Sequence, residues 1–162
     1  ETSISISGGE LELNSIDAAV RCVADVNISG GSINISSAAD GIQAGKNING
    51  FPSETGTVTI SGGSLFISSA KRAIDAKDSL SITGGTVFAL SGAKKALEAE
   101  ADGQPYVSYK FSGSAGNDVQ FGELATVTAK YDFTSILFSS PELASGAEYA
   151  VTCGQRSETV TA

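Results

Sequence analysis

The sequence predicts an all-β fold: a right-handed parallel β-helix of about four 22-residue coils with a C-terminal antiparallel β cap. Three observations predict it. Gly-Gly pairs recur at 8–9, 30–31, 62–63 and 84–85, in steps of 22, 32 and 22 residues. Apolar residues alternate with polar ones on both sides of each pair, which is the period of a strand. Beyond Asp102-Gly103 the repeat fades into short alternating segments separated by turn signals.

Aligning the units on their glycines gives columns. Before the glycines stand Ile4, Val26, Val58, Leu80 and then Ile6, Ile28, Ile60, Ile82. After them stand Leu11, Ile33, Leu65, Val87 and then Leu13, Ile35, Ile67. A third pair of columns holds Val20, Ile42, Ile74, Leu97 and Cys22, Ala44, Ala76, Ala99. Each unit therefore offers three short strands, and Gly-Gly reads as the sharp corner between two of them. One unit cannot bury its own apolar positions, but stacked units bury them against one another at the strand spacing of about 4.8 Å. The Ser7, Ser29, Ser61, Thr83 column can run a hydroxyl ladder beside the corners. Helices are disfavoured by the glycines and β-branched runs. The stretch "AKKALEAEA", residues 93–101, aligns with "AKRAIDAKD" and reads as another strand and corner.

The 32-residue step is one unit plus an insertion, "GKNINGFPSETG", residues 45–56. Residues 1–103 are thus expected to form the coils, and residues 104–162 a C-terminal β cap or small β subdomain. The chain starts inside a repeat, at "TSISISGG", so an earlier coil or another protomer is expected before it.

A net charge of −8 and the absence of a basic face argue against nucleic acid as a partner. No run approaches the ~18 apolar residues of a membrane helix, so no membrane insertion is expected. Two cysteines, Cys22 and Cys153, do not make a disulfide scaffold; both a single bridge and two buried thiols are open. With no histidine, Ser-His and Cys-His nucleophile arrangements and histidine-ligated zinc are excluded.

The units "VNISGGSINISSAADGIQAG" and "VTISGGSLFISSAKRAIDA", with the tail "FTSILFSSPELASGAEYAV", resemble a bacterial family of secreted carbohydrate-binding β-helix proteins. That family is similar to pectate lyases in fold. The resemblance covers nearly the whole chain, as the C-terminal portion of a longer member. It implies an extracellular or bacterial cell-surface location and calcium-assisted binding of acidic plant polysaccharide, chiefly polygalacturonate, without catalysis. The family's double Asp before Gly-Ile serves as a calcium ligand; here one acid remains, Asp40 in "AADGI", and Asp17 sits one place earlier in its unit.

In the next two units the acids give way to Lys71-Arg72 and Lys94-Lys95. On stacked corners these would form a cationic strip for uronate carboxylates, or they would simply neutralise Asp40, Asp75 and Glu98. Asp75 and Glu98 form a carboxylate column that reads either as calcium ligands with Asp40 or as partners of the basic pairs. Phe51, in the insertion, can stack on a sugar ring or tuck against the protein. The expected function is non-catalytic polysaccharide binding. A pectate-type lyase using the basic group as proton acceptor, and a structural adhesin or stalk module, are the alternatives.

Overall fold

The computed structural model describes residues 3–92 and 101–162, and the chain is all-β. The strands are β1 (Ile4–Ser15), β2 (Val20–Cys22), β3 (Val26–Ser37), β4 (Ile42–Ala44), β5 (Thr57–Ser69), β6 (Ile74–Ala76) and β7 (Ser79–Ser91). They continue as β8 (Ala101–Gly103), β9 (Tyr106–Tyr109), β10 (Asp118–Phe121), β11 (Ala125–Thr128), β12 (Ser135–Ser139), β13 (Glu148–Cys153) and β14 (Arg156–Thr161). Lys94, Lys95, Glu98 and most of the 93–101 segment lie outside the described residues.

The apolar columns are the register of the parallel pairs. Ile6 faces Ile28, Ile28 faces Ile60 and Ile60 faces Ile82. Val20, Ile42 and Ile74 align in the same way across β2, β4 and β6.

The parallel β-helix solenoid is nevertheless not the fold. The arrangement is sandwich-like, built from a mixed seven-stranded sheet, a four-stranded antiparallel sheet and a three-stranded sheet. Two physical facts account for the difference. First, Gly-Gly does not end a strand. It sits within one continuous strand of 12 or 13 residues, where the register slips around Ser7 and Ser61 and the second glycine takes a positive φ of 78–96°. Each of the first three units therefore contributes one long and one short strand, not three. Second, the large sheet runs in the order β1-β3-β5-β7-β12-β9, and β12 and β9 join it antiparallel.

Strand alternation then sorts side chains between two cores. Val87 and Ala89 of β7 and Leu137 of β12 point to the core under the three-stranded sheet. Phe88 and Leu90 of β7, with Ile136 and Phe138 of β12, point the other way, into a second core with Val119, Phe121 and Val151 of the antiparallel sheet. Phe121 stacks on Phe138, ring centroids 4.1 Å apart, and Phe88 meets Phe138 edge-on at 5.4 Å. The antiparallel pairing of the C-terminal sheet matches expectation; the sheet lies over one face of the large sheet.

The serines that line the interior are not the expected column. Ser7, Ser29, Ser61 and Thr83 are exposed. The buried ladder is Ser37, Ser69 and Ser91, aligned across β3, β5 and β7. Ser37 donates to the Asp17 carbonyl at 2.7 Å and Ser91 donates to the Lys71 carbonyl, holding the turns that follow the long strands.

Candidate functional site

Among the described residues of the predicted basic corner, Arg72 enters a self-neutralising network. Arg72 turns its guanidinium inward, 3.2 Å from Asp40 Oδ2 and 3.2 Å from Asp75 Oδ2. The two carboxylates are 2% and 4% exposed. Lys46 Nζ reaches Asp75 Oδ2 at 2.6 Å. Asp75 Oδ2 meets both cations as close charge contacts without an aligned hydrogen bond, and Arg72 Nε is buried without a hydrogen-bond partner. The Arg72 amide donates to Asp40 Oδ1 at 2.8 Å, and Gln43 Nε2 donates to Asp40 Oδ2 at 2.5 Å. The chain of contacts runs on through Arg21 Nε to Gln43 Oε1 at 2.7 Å and from Arg21 to Asp17 at 2.8 Å. That extension follows from register, because Arg21, Gln43 and Asp75 align across β2, β4 and β6. Lys71 alone of the described pair is exposed.

Asp40 and Asp75 thus face a guanidinium and an ammonium, where a calcium ion would need open oxygen ligands. Among the described residues no three His, Cys, Asp or Glu side chains group to hold a metal. Asp40 and Asp75, the described members of the expected ligand set, do not fit the ion that the resemblance implies.

Phe51 stands on a two-residue hairpin. Ile48 and Phe51 exchange backbone hydrogen bonds at 3.1 and 2.8 Å around Asn49 and Gly50, both with positive φ, the geometry Asn-Gly favours. Amides of Gly45, Lys46 and Glu54 donate to the Ala24, Cys22 and Val23 carbonyls, so the insertion is tied to the C-terminal end of β2. Phe51 is 69% exposed beside a mostly apolar hollow of about 260 Å³.

A larger groove of about 330 Å³ lies where the large sheet meets β11. Its floor is the column Glu12, Asn34, Phe66, whose next member is the buried Phe88. The column grades from charged through amide to aromatic. The antiparallel sheet covers its apolar end and leaves the polar end open. Thr126, Thr128 and Lys130 line the opposite wall, and the Lys130 amide donates to Ser68 Oγ at 2.8 Å, tying wall to floor. Among the described residues β11 is the edge of its sheet, and no described strand pairs with its outer side. Glu12, Asn34 and Phe66 each stand three residues after a Gly-Gly pair, a column the apolar pattern does not single out, and nothing in the sequence signalled that β11 would stand across from it.

A family model described as "Carbohydrate-binding domain-containing protein" matches residues 1–134. The chain belongs to that family. No curated protein and no solved structure gives a significant match. Membership supports non-catalytic carbohydrate binding, with polysaccharide as the partner. The matched span holds both walls of the groove, from Glu12 to Lys130, and the Phe51 hairpin.

Proposed function

We propose that this family member binds a polysaccharide in the groove between the large sheet and β11, without turning it over, outside the cell or on a bacterial cell surface. The observation that carries the reading is the groove's composition: a partly exposed aromatic ring, Phe66, beside an amide, hydroxyls and one charge of each sign. A sugar ring has apolar C–H faces and hydroxyl edges. An aromatic face takes the former, while Asn34 and Ser36 in the lining offer both donors and acceptors to the latter; the Thr128 hydroxyl is committed as a donor to Asp118 Oδ1 at 2.7 Å.

Phe66→Leu keeps apolar bulk and removes the aromatic face. Asn34→Ala removes the amide. Both are expected to weaken binding in a polysaccharide pull-down and by calorimetry, with and without a chelator, while the melting temperature moves little. Affinity unchanged in both variants would sink the groove reading.

The exposed Lys71 favours a second reading, binding of a polygalacturonate-like polymer along the corner with Lys94, Lys95 and Phe51. Weakened polygalacturonate binding in Lys71→Ser and Phe51→Ala, with Phe66→Leu silent, would select it. Release of unsaturated uronate product would instead support a lyase.

A further inference from the structure

We infer that the groove takes a neutral, hydroxyl-rich polysaccharide in preference to a polyanion. This inference rests on the groove reading and adds the class of polymer to it. The first argument is where the cations have gone. Arg21, Lys46, Arg72 and Arg156 each sit within 4.0 Å of an Asp or Glu oxygen, and the exposed Lys71 and Lys110 are not in the groove lining. Lys77 is committed to Ser53 Oγ and the Glu54 carbonyl at 3.2 and 2.9 Å. A polyuronate carries a carboxylate on every unit and needs repeated cations along its path.

The second argument is the groove itself. Lys130 is its cation, and Glu12 stands on the floor at the open end. A uronate unit laid along the Glu12, Asn34, Phe66 column would set a carboxylate near Glu12. A hydroxyl there instead donates to the Glu12 carboxylate, a charge-assisted hydrogen bond. The third argument is the surrounding field. With a net charge of −8, the whole chain repels a polyanion at long range.

The experiment is a calorimetric titration of the full chain with soluble neutral polymers (glucan, galactan, mannan and xylan backbones) and with polygalacturonate. Each titration is run from about 50 mM to about 500 mM salt, a range over which exposed charges become screened. The best neutral polymer is expected to bind about fivefold or more tighter than polygalacturonate at low salt, the size of one exposed charge interaction. Its affinity should change by less than about twofold across the salt range. Glu12→Gln should narrow the gap by strengthening polygalacturonate alone. Polygalacturonate as the tightest ligand, with its binding lost in Phe66→Leu, would overturn this inference while leaving the groove reading intact. Indifference of every polymer to Phe66→Leu and Asn34→Ala would overturn both.

Discussion

Arg72 shows how one side chain decides what a surface can do. Its guanidinium bridges two carboxylates, Asp40 and Asp75, that are almost wholly shielded from water. Removing the bridge leaves buried negative charge short of its partner, which is costly because water cannot replace the lost interaction. Arg72→Ala is therefore expected to lower stability by about 3 kcal/mol in a denaturant titration. Lys71→Ala, at the exposed neighbour, should stay within about 0.5 kcal/mol. Equal effects would contradict the inward pairing. Cys153 offers a pH signature. Burial pushes its thiol above the ordinary value of 9.0, outweighing the nearby Arg156. A raised acid pKa means the unfolded chain ionises first, so this stabilisation is complete below about pH 9 and fades as pH rises through the folded value. Melting curves across that window should show an alkaline loss that Cys153→Ala reduces.

At the scale of the element, the glycine pairs matter as bulges inside strands. Gly63 has φ +83°, and a Cβ there would meet the Gly31 carbonyl oxygen at 2.6 Å. That contact is with backbone, so the neighbouring strand itself would have to move. Gly63→Ala should cost roughly 1–3 kcal/mol, from the left-handed conformation alone, before the clash is added. Gly8 lies on the edge strand, with open space where its Cβ would go. Gly8→Ala should accordingly be near neutral. Gly9→Ala, at a glycine with φ +91° and open space, carries the conformational cost without the clash, so thermal melts in which Gly63→Ala and Gly9→Ala lose equally would show that the neighbouring strand does not crowd Gly63.

For the molecule as a whole, the two cores share one sheet. Residues 1–103 alone would lose β12 from the edge of β7, Leu137 from the first core and every antiparallel strand that covers Phe88 and Leu90. Aromatic and aliphatic side chains now fully buried would then face water, at about 25 cal/mol per Å² of apolar area. The truncated chain is expected to aggregate or to bind a hydrophobic dye strongly, and to lose cooperative melting. A soluble 1–103 fragment with a sharp transition and no dye binding would show that the repeat units stand on their own.

The sequence by itself determined the pairing. A 22-residue step with matching apolar columns leaves one register that buries every column, so Ile6, Ile28, Ile60 and Ile82 had to align. It also carried the cast of the corner: Asp40, Arg72 and Asp75 were legible as charges at one place in the repeat. Only the tertiary structure decided that Gly-Gly bends a strand without ending it, because φ > 0 serves a bulge and a corner equally well. Tertiary structure alone also decided that Arg72 turns inward, since that pairing depends on the spacing between the turns of two units. The groove belongs to the same class. Glu12, Asn34 and Phe66 lie in one sequence column, yet their opposite wall, from Thr126 to Lys130, arrives from sixty residues or more beyond Phe66. What brings it there is burial of Phe88 and Leu90 beneath an antiparallel sheet, a long-range contact that no local periodicity encodes.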